Sequence, residues 1–262
     1  MYQGFYNLAS GMLTQSRNLN VISNNMVNVQ TAGYKSDTMV SKTFGDEMLY
    51  RTGCRNKKNP EELASVSKIK TADRTYVNYE QGSFEQTRGI YDFSLMGNGF
   101  FCIQTAQGER YTRNGSFSVD AEGYLTLNDQ GRVLSSDGQP IRIPDENFYV
   151  DSSGTITSAV TGNGEDASKE AVSYGRLKIV DFLDYNQLHK ESNGLFSSAA
   201  APKELQDGST SIQWQSLERS NVDMVEEMTA MMSSQRALQS AAQMLKMYDQ
   251  VLNKASSDVG RL

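Results

Sequence analysis

No glycine occurs from Ser209 to Val259, and none of the four prolines (Pro60, Pro140, Pro144 and Pro202) falls in that stretch. Proline inside a helix costs about 3 kcal/mol and glycine about 1 kcal/mol relative to alanine. Their absence excludes frequent turns there and predicts one long, unbroken helix. About forty residues of helix span ~60 Å, too long to bury in a domain of this size. Such a helix needs a partner along its length.

Other scarcities exclude function classes. The two cysteines, Cys54 and Cys102, form neither a metal-binding spacing nor a disulfide framework. They read as two structural thiols, with one bridge between them left open. The single histidine is His189, and there is no Gly-x-Ser-x-Gly elbow. A Ser-His-Asp hydrolase would have to use that histidine, which otherwise reads as a surface or satisfied side chain. Gly97-Asn98-Gly99 lacks the third glycine and following helix of a dinucleotide site. The net charge is -6 and no Lys/Arg run appears, so nucleic-acid binding has no electrostatic footprint. No apolar run approaches the roughly 18 residues of a membrane span. The first basic residue is Arg17, and Asn7, Ser10 and Gln15 interrupt the opening apolar positions. No cleaved signal peptide is therefore expected. No catalytic, cofactor-binding or metal-ligating residue is assigned, and no small-molecule substrate is expected.

The two ends carry helical periodicity. In residues 3–27, Phe5, Leu8, Met12, Leu19, Ile22 and Met26 follow steps of 3, 4, 7, 3 and 4. In residues 217–257, Met224, Met228, Met231, Leu238, Ala242, Leu245 and Leu252 form a second narrow stripe. Stripes this narrow suit helix-on-helix packing better than burial in a broad core.

The middle is punctuated differently. Of 21 glycines, 15 lie between Gly82 and Gly208. Short strand-like runs separate them: 92–96, 100–104, 110–113, 117–119 and 124–127, with 175–182 further on. Regular short strands with Gly/Asn/Asp turns predict an antiparallel sandwich or barrel. Residues 161–170 and 54–60 read as exposed loops. Residues 37–75 read as an extended, partly irregular arm, in which Thr43–Leu49 could be a helical turn or a strand.

Two polar motifs stand at the helix ends. Ile22-Ser23-Asn24-Asn25-Met26-Val27-Asn28-Val29-Gln30-Thr31-Ala32-Gly33-Tyr34-Lys35 closes the first helix. An ordinary helix end explains one asparagine and a glycine, but not three amides within five positions. Several amides there suggest polar, register-fixing contacts with a neighbour. Ser220-Asn221-Val222-Asp223-Met224-Val225-Glu226-Glu227-Met228-Thr229 opens the second helix. Asn221 or Ser220 can cap it, and Asp223, Glu226 and Glu227 suit the positive end of its dipole.

The first motif resembles the signature of the bacterial flagellar axial proteins, the rod and hook subunits. It matches that pattern at Asn24, Asn25, Asn28, Val29, Thr31, Gly33, Tyr34 and Lys35, and departs at Met26, Val27 and Gln30. The second motif, followed by Gln235-Arg236-Ala237, is similar to the family's C-terminal signature, with Leu238 where the family favours an aromatic. Gly97–Ile103, Tyr111–Phe117 and Phe148–Ile156 look like its β domain.

The resemblance implies an α+β fold, with long terminal helices packed as a coiled coil and a central antiparallel all-β domain. The expected division is 1–36 with 212–262 as a discontinuous helical core, 37–80 as the arm and 81–211 as the β domain. It implies a rod subunit, proximal or distal, that self-assembles into the helical axial tube of the basal body. The expected assembly interface comprises Leu8, Met12, Leu19, Ile22, Asn24, Asn25, Met26, Asn28, Thr31, Gly33, Tyr34, Asn221, Met224, Met228, Met231, Gln235, Arg236, Leu238, Leu245 and Leu252. Expected partners are copies of the chain, other axial proteins and the flagellar type III export apparatus, which passes subunits without cleavage. The alternatives are a hook subunit, a secreted binding or adhesin module, and the His189 hydrolase.

Overall fold

The computed structural model of the protein describes residues 2–51, 61–128, 130–158, 172–191, 193–204 and 210–259. They divide into two compact units. The 54–60 and 161–170 segments, and with them Cys54, lie outside the described residues.

The first unit draws on residues up to Asn28, Ser36–Tyr79 and the chain from Val222 onward. Helix α1 is Tyr2–Val27 and helix α2 is Met224–Val259. α1 ends just before Asn28, whose side chain donates to the Asn24 carbonyl at 2.8 Å and whose amide donates to the same carbonyl at 3.2 Å. α2 starts on Asp223, whose carboxylate accepts from the Val225 and Glu226 amides at 2.8 and 3.3 Å. The cap is therefore Asp223 and not Asn221 or Ser220, because the helix begins at Met224 and only Asp223 stands directly before it. Asn221 instead donates to the Glu80 carbonyl at 3.1 Å.

The arm is a long antiparallel hairpin. Strand β1 (Asp37–Arg51) pairs with β2 (Glu61–Val77) from Asp37↔Val77 to Arg51↔Glu61. The register slips at Val40/Ser41 and Leu49/Tyr50, so Thr43–Leu49 is strand. α1 packs against α2 and against both strands of this hairpin.

α1 and α2 do not bury the two predicted apolar stripes. Ile22 is buried, while Leu8, Met12, Leu19 and Met26 are half-buried and Phe5 is exposed. On α2, Met224 and Met228 are exposed, and Met231, Leu238, Ala242, Leu245 and Leu252 are half-buried. Apart from Ile22, the buried positions among the described side chains of the two helices are polar: Thr14 and Asn25 on α1, and Ser234 on α2. One helix laid on another covers only the contact line, which here carries small and polar side chains.

The second unit comprises Val29–Lys35 and Glu80–Asn221. Residues 212–221, expected with the terminal helices, belong here. Ser211–Trp214 pairs with Phe93–Met96, and Ser216–Glu218 with Phe84–Gln86. Strand Phe100–Thr105 is the hub: Gly108–Thr112 pairs on one side, and Arg132–Val133 and Ile179–Asp181 on the other. Phe148–Val150, Thr155–Ser158 and Ser173–Arg176 form a separate three-stranded sheet. Among the described residues every strand pairing is antiparallel. Among the described residues the largest sheet follows an open path, from Leu188–Lys190 to Ser118–Val119, so the barrel alternative does not hold. The two end strands of that path are not paired with each other.

The core of this unit gathers Phe93, Leu95, Phe101, Ile103, Leu125, Val133, Ile141, Ile156 and Leu177, each 2% exposed or less. Phe101 packs edge-on against Phe117 at 5.3 Å between ring centres. Cys102 is fully buried beside this core.

Candidate assembly interface

Asn25 is 1% exposed. Its Nδ2 donates to the Asp37 carbonyl at 2.8 Å, and its Oδ1 accepts from the Asp37 amide at 3.0 Å. The side-chain amide thus pairs with Asp37 as a peptide group would in a β-ladder. Nδ2 also donates to Glu227 Oε1 at 2.6 Å. One side chain joins the last turn of α1, the first residue of β1 and the first turn of α2. Further along the pair, Asn18 Nδ2 donates to Ser234 Oγ at 3.3 Å.

The rest of the first motif enters the β unit. Gly33 holds φ +67, a conformation that costs an L-residue with a Cβ about 1–2 kcal/mol. Its amide donates to the Glu218 carbonyl at 2.7 Å. A Cβ at this position would collide with the Arg113 carbonyl, so the close approach needs glycine. Tyr34 lies under the Lys190 ammonium, 3.9 Å from the ring centre.

Lys35 runs inward. Its Nζ is 2.6 Å from Glu218 Oε1 and 2.7 Å from the Glu80 carbonyl, to which it donates. Glu218 Oε1 also accepts from the Gly82 amide at 3.1 Å, and Oε2 from Arg113 Nη1 at 3.3 Å. Arg113 Nη2 donates to the Gly97 carbonyl at 2.7 Å. Burial pushes the Lys35 ammonium below its ordinary pKa, with Glu218 opposing and Arg113 adding. Burial also lowers Arg113, again against Glu218. One carboxylate holds two desolvated cations, a cluster that is costly to break once formed.

The remaining expected interface residues are spread over both units. Asn24, Thr31, Gln235 and Arg236 are exposed, and Asn28 is half-buried. Asn25 meets Glu227, and Gly33 meets the Glu218 backbone, but Met224 and Met228 face outward. Sequence reasoning missed Glu218, Ser234 and Asp37. The alternation in Ser216-Leu217-Glu218 signals a strand with Glu218 facing inward. Nothing in the sequence marks Asp37, whose role comes from its backbone. His189 is exposed on the strand Leu188–Lys190.

α2 has, among the described side chains, only Ser234 buried. Exposed on it are Met224, Val225, Met228, Met232, Met244, Met247 and Val251. A well-packed β unit joined to chain ends that pair with each other yet keep apolar side chains exposed defines a structural assembly subunit.

Comparison with known proteins agrees. Residues 5–35 match the model for flagella basal body rod proteins. Residues 94–158 match the flagellar hook protein FlgE/F/G D1 domain, and 214–258 the C-terminal region of flagellar basal body rod FlgEFG proteins. The chain is 30% identical to the flagellar basal-body rod protein FlgG of Bacillus subtilis, over 97% of this chain and 98% of that one. It is 31% identical to the flagellar basal-body rod protein FlgF of Caulobacter vibrioides, over 97% and 95%. The flagellar hook-basal body complex protein FlhO of Bacillus subtilis is 28% identical over the full length of both. The chain belongs to the flagellar basal-body rod protein family. It is a structural, non-enzymatic subunit of the basal-body rod, and the hook alternative is not favoured.

Proposed function

We propose that this rod subunit polymerises through its terminal helices, which pack in the assembled rod as a coiled coil. The apolar side chains exposed on α1 and α2 support this reading, because a solitary chain leaves them wet. Met228 is 44% exposed, Met244 55% and Met247 56%. Each apolar Å² removed from water is worth about 25 cal/mol, so covering this surface strongly favours a neighbour. A neighbour bound by a heterologous contact leaves a free copy of each patch, and the contact propagates as a helical filament. Methionine suits such contacts because its flexible thioether adapts to neighbours that are similar but not equivalent.

The interface we propose takes in Leu8, Met12, Leu19, Met26, Met224, Met228, Met231, Leu238, Leu245 and Leu252, with the polar residues of the two motifs fixing orientation. Other axial proteins and copies of the chain are its neighbours, in either the proximal or the distal rod. The flagellar type III apparatus exports the chain without cleaving a signal. The finished tube transmits torque and passes export substrates.

Met228→Asp tests the reading. The variant should fail to polymerise and fail to restore motility, because burying an unpaired charge costs about 3 kcal/mol or more. Its Trp214 fluorescence should match the parent, since Trp214 packs in the β unit, donating to the Ile90 carbonyl at 2.7 Å. Normal rods built from this variant would refute the interface.

A further inference from the structure

The α1–α2 pair makes polar or close contacts at three levels. A Cβ on Gly4 would lie 3.0 Å from the Tyr248 hydroxyl. Asn18 bonds Ser234, and Asn25 bonds Glu227. The steps on α1 are 14 and 7 residues, and those on α2 are 14 and 7 in the opposite direction. The helices are therefore antiparallel, and their contacts recur at whole heptads.

Apolar packing alone does not select this register. Met231, Leu238, Leu245 and Leu252 repeat every seven residues along α2. Sliding α1 by one heptad brings an equivalent apolar side chain to each place. The polar groups remove that degeneracy. A slip toward the end of α2 sets Asn25 opposite Ser234 and Asn18 opposite Ala241, which offers no side-chain partner. A slip the other way sets Asn25 opposite Ser220, before α2 begins at Met224. Asn25 is also tied through both its amide atoms to the backbone of Asp37, so the end of α1 cannot slide without breaking the start of β1.

We infer that Asn25 is the positioning residue that locks the terminal helices of one chain into a single register. Its Asp37 pairing fixes α1 to the hairpin, and its bond to Glu227 fixes α2 to α1. A buried polar residue that selects one of several equivalent registers is an established role for asparagine in helix pairs. The lock is a property of the single chain. Its consequence, that subunits present their outer methionines in one fixed pattern, rests on the assembly reading above.

Paired cysteines read the register directly. In a Cys54→Ser background, Asn18→Cys is combined either with Ser234→Cys, in register, or with Ala241→Cys, one heptad away. Cys102 stays in place, fully buried. With Asn18 replaced, Asn25 holds the register alone. Mild oxidation of the dilute chain should cross-link strongly at 234 and weakly at 241. Asn25→Leu should cut that preference by about tenfold, the factor that one lost net hydrogen bond represents. An unchanged preference in Asn25→Leu, or equal cross-linking at both positions with Asn25 present, would overturn the lock. If circular dichroism finds that Asn25→Leu has lost helix, Glu227→Met carries the same comparison, since it removes the α2 acceptor and leaves the Asp37 pairing whole. A chain that keeps its register and still fails to polymerise counts against the assembly reading and leaves the lock standing.

Discussion

The Lys35 ammonium lies 2.6 Å from the Glu218 carboxylate, with the two side chains 2% and 1% exposed. The residue that follows the Gly-Tyr of the first motif is thereby joined to the last residue of a strand just ahead of the second motif. The bond spans 183 positions of sequence.

Glu218→Gln should destabilise the β unit by about 3–5 kcal/mol, because it leaves Lys35 and Arg113 buried together without their shared counter-charge. Lys35→Met should cost less, since Glu218 keeps Arg113 at 3.3 Å. Urea unfolding followed by Trp214 fluorescence gives both values. A smaller loss for Glu218→Gln than for Lys35→Met would show that Glu218 does not hold the cluster together.

Gly33→Ala should cost more than about 1 kcal/mol. It adds a Cβ at φ +67 and drives it into the Arg113 carbonyl. The same denaturation experiment measures it, and a neutral result would mean that residues 29–35 can leave their seat on the β unit freely.

Gln215 takes φ +56 between the strands Ser211–Trp214 and Ser216–Glu218. Its amide donates to the Asp92 carbonyl at 2.8 Å, and its carbonyl accepts from the Thr87 amide at 2.9 Å. Both bonds belong to the backbone and survive substitution. Gln215→Gly should therefore stabilise the unit by about 1 kcal/mol through relief of left-handed strain. A lower unfolding midpoint would contradict this.

Amide hydrogen exchange in the dilute chain should separate the two units. Strands 93–96 and 100–105 carry fully buried side chains and should exchange only on global unfolding. α2 buries little and should exchange orders of magnitude faster, slowing once rods form. Equal protection of α2 and strand 100–105 in the monomer would count against assembly as the event that dries the helices.

Tyr111 and Tyr185 are both pushed up to about 12. Burial is the first cause for each, with Cys102 and Glu109 adding at Tyr111, and Asp181, which accepts from the Tyr185 hydroxyl, adding at Tyr185. The folded state holds these protons more tightly than the unfolded chain, whose tyrosines titrate near 10. Their contribution is thus fully present below pH ~10 and is lost as pH rises toward ~12. Alkaline titration by ultraviolet difference absorbance should show at least two tyrosines ionising late, together with unfolding, and one fewer in Tyr111→Phe. An equal number of late-ionising tyrosines in Tyr111→Phe and the parent would show that Tyr111 is not one of them.

Two helical ends and a β-rich middle were legible in the sequence because both signals are local. Glycine and proline spacing sets where a helix can run, and short alternating runs between turns make strands. The family signature at residues 22–35 was legible for the same reason. Local pattern could not reveal that this motif divides between two units, with Asn25 closing on Asp37 and Glu227 and with Lys35 buried against Glu218. Those partners lie 12 to 202 positions away, and a side chain's partner is set by where the chain returns, not by its neighbours in sequence. Nor could apolar periodicity tell which stripe the helices bury on each other. A heptad repeat fits several registers equally well, and only the tertiary fold, through the polar contacts of Asn18 and Asn25, decides among them.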